Sequence, residues 1–230
     1  MIKHHPTFEL LKSFVDGDLP ASLSAGIAIH ADMCPTCQRQ IAQLTDQVAE
    51  ANFEFEAAFL DRFIVDDGDD VADMPAISFE QMIDSITSTD ELSEATVYEE
   101  KRIAFNEKSY AIPTALHNMQ LGKTSHIGKL SRARVQLEED EIHTSLLHIE
   151  PGGGVPEHTH KGFELTLLLD GSFDDENGHY EKGDFIMLSG DHQHHPISAD
   201  GCLCYTVAND ALHFTQGINK LLNPIGSFIY

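Results

Sequence analysis

The stretch GGGVPEHTHKGFELTLLLDG, residues 152–171, decides how the rest of the chain is read. Side chains alternate along an extended strand, so His158 and His160 share one face, and Glu164, four residues on, has the same parity. That face offers two imidazoles and a carboxylate, a donor set suited to a divalent transition metal. Gly171 is expected to close the strand at a turn. Downstream, YEKGDFIMLSGDHQHHP, residues 180–196, gives a Gly183-Asp184 turn, an apolar strand, and then His192, His194 and His195. A fourth metal ligand would come from this return strand.

The texture on both sides of these stretches is the same. From about residue 98 onward, short runs rich in β-branched and aromatic residues (SYAIP, ARVQLE, TSLLHIE, GDFIMLSG, CLCYTVAND) are bounded by Gly, Pro, Asn and Asp. Closely spaced strands with no intervening helical pattern favour an all-β sandwich or barrel over a βαβ fold. Cys202 and Cys204 fall on one face of a strand and read as small apolar residues of a barrel core. His148 and Glu150 also alternate on a strand, but no matching donor accompanies them, so they read as structural.

The first 60 residues follow a different period. Phe8, Leu11 and Val15, then Leu23 and Ile27, then Ile41, Leu44 and Val48 recur at helical spacing. Three helices are expected, with Thr7 capping the first, Gly17 ending it, Pro20 near the start of the second and Pro35 opening the third. Cys34-Pro-Thr-Cys37 has the two-residue gap that turns two thiolates toward one tetrahedral ion, and His30 stands one helical turn before it. His4 or His5 would complete a four-donor set. So small a bundle is expected to need a metal or a partner to hold its shape.

The chain has 230 residues, 38 acidic against 14 basic, and a net charge of −24. Such a charge disfavours phosphate backbones and anionic lipid, and suits a basic protein partner. Residues 46–100 carry 17 acidic side chains and one basic, two thirds of that net charge. Within them DDGDDVADMPA reads as a solvated linker, and Phe79, Met82, Ile83 and Ile86 form one stripe of a short helix that packs on its own domain or in a partner's groove. No apolar run is long enough to span a bilayer and no secretory signal is visible, so a cytoplasmic protein is expected. Four cysteines in a reducing compartment point to metal ligands, redox thiols or core residues rather than disulfides.

Two family resemblances emerge from these residues. The stretch KHHPTFELLKSFVDGDLPASLSAGIAIHADMCPTCQRQI, residues 3–41, resembles the zinc-binding anti-sigma domain, most closely of the ChrR type. That resemblance implies zinc held by His5, His30, Cys34 and Cys37, and an extracytoplasmic-function (ECF) sigma factor as partner. Residues 154–171 and 183–194 resemble the paired metal motifs of the cupin superfamily, with Ser189 where many cupins carry Pro. Its ligands would be His158, His160, Glu164 and His194, with His192 the competing choice, around a second divalent metal, zinc, iron or manganese. The combination resembles ChrR-type anti-sigma factors.

The expected fold is therefore multidomain α + β. A helical zinc-binding domain with its acidic linker spans residues 1–90, a cupin (double-stranded β-helix, jelly-roll) barrel spans 96–215, and a tail spans 216–230. The expected function is a non-catalytic regulator that inhibits an ECF sigma factor, without touching nucleic acid or membrane, and releases it under oxidative stress such as singlet oxygen. A mononuclear cupin enzyme of dioxygenase type, with an appended zinc domain, is the alternative.

Overall fold

The computed structural model describes residues 1–64, 79–88, 100–139, 141–159, 162–190, 192–209 and 213–214. The stretch read as a linker, the boundary expected between 90 and 96, the tail 216–230 and His160 lie outside them. Helix α1 is Phe8–Asp16, α2 is Ala21–Met33, α3 is Pro35–Ile64 and α4 is Phe79–Thr87. Their ends follow the signals in the sequence. The Thr7 hydroxyl accepts the Leu10 N–H at 3.3 Å. Gly17 takes a left-handed conformation, φ 78°, and its N–H donates to the Phe14 carbonyl. Pro35 occupies the first helical position of α3, where its missing N–H loses nothing.

The strands are β1 (Arg102–Phe105), β2 (Lys108–Ala111), β3 (Gln120–Leu121), β4 (Ser125–Ile127), β5 (Leu130–Gln136), β6 (His143–Ile149) and β7 (Gly153–Gly154). They continue as β8 (His158–Thr159), β9 (Phe163–Asp175), β10 (Gly178–Glu181), β11 (Phe185–Ser189), β12 (Ile197–Ser198), β13 (Cys202–Ala208) and β14 (His213–Phe214). The main sheet runs β3-β5-β6-β13-β9-β12-β7, all its pairings antiparallel, with β4 on β5 and β10 and β11 on β9. This is the expected fold class, a helical region followed by an antiparallel β barrel. One sequence expectation fails here. Gly171 does not end its strand; at φ 75° it bends β9, which continues to Asp175 and so serves two parts of the sheet.

Two compact units emerge: Met1–Ala49 with Lys101–Tyr230, and Glu50–Glu100. In the first, α2 lies against the outer face of the sheet. The helix can approach closely because residue 26 is glycine; a Cβ there would stand 2.7 Å from Leu165 Cδ2 and 3.3 Å from Tyr205 Cε1. The Tyr205 hydroxyl donates to the Ser22 carbonyl at 2.8 Å. Ile27 and Ile29 are fully buried, each worth on the order of 1.5–3 kcal/mol relative to exposure. The small helical domain thus draws support from the barrel as well as from its own side chains. A second apolar cluster, including Leu130, Ile149, Val155, Leu168 and Phe173, fills the barrel interior. In the second unit, Ile83 and Ile86 of α4 are 51% and 72% exposed; the side chains of Phe79 and Met82 lie outside the described part.

Candidate metal centres

The N-terminal donors converge as their spacing demands. His30 lies in the last turn of α2, Cys34 and Cys37 flank the start of α3, and His5 precedes α1. The four donor atoms lie within 4.8 Å of one another. His5 Nδ1 is 3.4 Å from Cys34 Sγ and 3.5 Å from Cys37 Sγ, and His30 Nε2 is 3.3 Å from Cys37 Sγ. A tetrahedral ion with N at about 2.05 Å and S at about 2.3 Å separates such donors by about 3.6 Å. The cluster therefore fits a tetrahedral cation with two imidazole and two thiolate donors. Without one, burial and the neighbouring Cys34 push the Cys37 thiol up to about 12, and a bound cation would reverse that preference. Of the adjacent histidine pair it is His5 that joins the cluster, while the His4 ring packs on Tyr180 with centroids 4.8 Å apart.

The barrel holds this cluster in place through one turn. His30 Nδ1 donates to the Gly183 carbonyl at 2.8 Å, leaving Nε2 free to act as a donor atom toward a metal. Burial lowers the His30 pKa, which favours the neutral imidazole a metal requires. Asp184, 2% exposed, accepts the N–H groups of Lys3 at 2.8 Å and His4 at 3.1 Å on one oxygen and that of Glu181 on the other. Phe185 N–H donates to the His4 carbonyl at 3.0 Å. The sequence marked Gly183-Asp184 as a turn opening the second metal motif; that it also holds His30 and the backbone of residues 3 and 4, just before His5, required the fold.

The second cluster is buried in the barrel. His158 in β8 and His194 form an isolated antiparallel bridge, each N–H donating to the other's carbonyl at 3.2 Å, and Glu164 stands on β9. The two Nε2 atoms are 2.8 Å apart, and His194 Nε2 is 3.1 Å from Glu164 Oε2. Donors about 2.05 Å from one ion are separated by about 2.9 Å at right angles and by about 3.4 Å at the tetrahedral angle. The observed spacings match the right-angle case better. Burial alone would depress the His194 imidazole, but Glu164, Asp175 and Glu176 outweigh it and raise its pKa. Asp175 Oδ2 faces His194 Nδ1 at 3.6 Å with its own side chain only 2% exposed, an orienting carboxylate that sequence spacing did not reveal. His194, rather than exposed His192, therefore joins His158 and Glu164.

The cavity that His158, Glu164 and His194 line is otherwise walled mainly by apolar side chains, among them Leu147, Val155, Phe173 and Cys204. Cys202 and Cys204 are both buried, as core residues, and their sulfurs are 4.0 Å apart.

Comparison with known proteins agrees with this geometry. Residues 119–211 match the family model described as the ChrR cupin-like domain. The anti-sigma-E factor ChrR of Cereibacter sphaeroides is 24% identical over 225 residues, covering 97% of each chain. The crystal structure of Rhodobacter sphaeroides SigE in complex with the anti-sigma ChrR aligns with a TM-score of 0.62 at 22% identity, over 90% of this chain and all of that one, and so shows the same fold. Along nearly its whole length, the chain is similar to a ChrR-type anti-sigma factor, with a ChrR cupin-like domain over residues 119–211.

Proposed function

We propose that the chain is an anti-sigma factor whose helical zinc domain binds and inhibits an ECF sigma factor, and whose metal-binding cupin domain releases it under oxidative stress such as singlet oxygen. The observation that carries this reading is the similarity to ChrR along nearly the whole chain, joined to a two-imidazole, two-thiol cluster in the helical region, buried at His30, Cys34 and Cys37. Exposed apolar side chains support it. Phe53 on α3 is 78% exposed, and with Ile83 and Ile86 it supplies apolar anchors for a partner. The acidic segment 46–100 complements the basic surfaces of a DNA-binding factor.

His5, His30, Cys34 and Cys37 would hold zinc, which supplies folding free energy by tying the N-terminal segment to α2 and α3. His158, His160, Glu164 and His194 would hold a second divalent metal, zinc, iron or manganese, which supplies an electrophilic centre with open positions. A continuous route joins the two clusters. Glu164 lies opposite Leu188 of β11, and the Gly183-Asp184 turn that leads into β11 holds His30 and residues 3 and 4. A shift of β11 relative to β9 would therefore act on His5 and His30 together, so that two states of the barrel bias two states of the sigma-binding region.

The enzyme alternative, a mononuclear cupin enzyme of dioxygenase type, would use the same four ligands. The reading is tested by a sigma-dependent reporter in cells carrying His158→Ala, His160→Ala, Glu164→Ala or His194→Ala. Repression should persist in all four while induction by singlet oxygen is lost; normal induction in all of them would remove the cupin metal from the switch and favour the enzyme.

A further inference from the structure

In a chain with 38 acidic and 14 basic residues, two arginines stand alternately on one short strand, β5. Arg132 and Arg134 share a parity, so their Cα atoms are about 6.6 Å apart and their side chains leave the same face. Register identifies that face. Arg132 is paired with Leu147, which lines the cavity beside His158, Glu164 and His194, and Arg134 is paired with Ser145. Leu130, of the same parity, belongs to the apolar cluster that fills the barrel, whereas Ala133 and Val135 face the helices. Both arginines therefore belong to the barrel's inner wall, not to its outer surface.

Among the described residues their charges meet no counter-charge there. Nε and Nη1 of Arg132 are buried and have no hydrogen-bond partner, and neither guanidinium forms an ion pair among the described residues. Arg134 Nη1 lies 3.3 Å from His143 Nδ1; since a guanidinium only donates, Nδ1 is the acceptor and His143 carries its proton on Nε2. Among the described residues the site thus has three nitrogen groups, two of them permanently cationic, and no carboxylate paired with them. Buried N–H donors left without an acceptor are unfavourable, and like charges placed together raise that cost. An anion with two acceptor oxygens removes both penalties at once, because the planar fork of a guanidinium matches a carboxylate bidentately.

We propose that Arg132 and Arg134, with His143, form a binding site for a small organic carboxylate at the inner wall of the barrel. The carboxylate seats on the guanidinium pair, and the short apolar body of the acid lies on Leu130 and Leu147, beside the metal cavity. The apolar wall selects an organic acid over an inorganic oxyanion. The site requires neither the sigma factor nor a turnover reaction, so its test stands apart from the proposed function.

The test is calorimetric titration of the full-length, metal-loaded chain with butyrate, with butanol of equal length, and with inorganic phosphate. Saturable one-to-one binding of butyrate is expected, with no binding of butanol and weaker binding of phosphate. Arg132→Gln and Arg134→Gln should each weaken butyrate about tenfold or more, as expected for the loss of a charge-assisted bidentate contact. Arg132→Lys keeps the charge but loses the fork and should fall between; it also serves if a Gln variant fails to fold by circular dichroism. Absence of saturable butyrate binding overturns the proposal. So does butyrate affinity unchanged in the arginine variants, which would place the acid on the metal alone, or phosphate binding as tight as butyrate, which would mark a site for inorganic anions.

Discussion

Replacing Asp184 with alanine should weaken metal binding at the N-terminal cluster, although Asp184 is not one of the four donors. Its carboxylate accepts the Lys3 and His4 N–H groups at 2.8 and 3.1 Å, immediately before His5. Hydrogen bonds to a charged acceptor contribute about 1.5–3 kcal/mol each. These are only partly buried, so the low end applies, and the pair contributes about 3 kcal/mol, or roughly a hundredfold in an equilibrium constant. That is the upper limit on what the loss can take from metal affinity, reached if residues 1–5 become free in the metal-free protein and must be ordered again on binding. Asp184→Ala should therefore weaken the site by about ten- to a hundredfold, and Asp184→Asn, which keeps a neutral acceptor, by less. Titration with Co(II) isolates this site, because the sulfur-to-cobalt charge-transfer band arises only where Cys34 and Cys37 coordinate, and competition with zinc then gives the zinc affinity. Although burial opposes it, the three backbone N–H groups hold the Asp184 pKa below its ordinary 3.8. The latch is consequently present above about pH 3.8 and is lost as pH falls through the lower folded value. Unchanged cobalt and zinc affinity in a folded Asp184→Ala protein would refute the argument that the barrel positions His5.

Three further outcomes follow from named contacts. Gly26→Ala places a Cβ 2.7 Å from Leu165 Cδ2 and should cost about 1–3 kcal/mol in chemical denaturation, by lifting α2 from the sheet. His148 is 2% exposed, has neither ring nitrogen hydrogen-bonded and stacks on Phe105. Burial, with Lys108 adding to it, lowers its pKa, so its contribution is complete above the unfolded value of about 6.5 and falls as pH drops below it toward the folded value. His148→Phe should flatten the loss of thermal stability as pH falls below about 6.5; an unchanged slope would assign that loss to other groups. Ile83→Asp and Ile86→Asp should leave the unfolding free energy within about 0.5 kcal/mol of native, because both side chains are exposed, yet weaken sigma-factor binding by about 2 kcal/mol or more. Unaltered binding would move the interface away from α4.

How much of this was legible in the sequence depends on whether a feature is set by local spacing. The HxHxxxE spacing brings His158 and Glu164 to one face, and the CxxC with His30 one turn earlier brings three donors together, because helix and strand geometry dictate both. The helix boundaries followed for the same reason, from Thr7, Gly17 and Pro35. The docking of α2 was not legible: ASLSAGIAIHADM has no apolar stripe, since α1 covers one side of the helix and the sheet the other. Nor was the inner wall of β5. LSRARVQ alternates apolar and polar, which ordinarily sends the polar face to solvent, but in a barrel overlaid by a helix both faces are covered and alternation alone does not say which is inside. Asp175 and Asp184 belong to the same class, acting on residues 19 and about 180 positions away.

The central claim is that the zinc-dependent helical region seizes a sigma factor, and gel filtration of the purified full-length chain mixed with the ECF sigma factor of its own cell tests it most directly. A one-to-one complex is predicted with the native chain, carrying zinc in proportion, and no complex is predicted with Cys34→Ala or Cys37→Ala. Failure of the native chain to form a complex with any ECF sigma factor of that cell, or an equally stable complex from the Cys34→Ala chain lacking that zinc, would contradict the account.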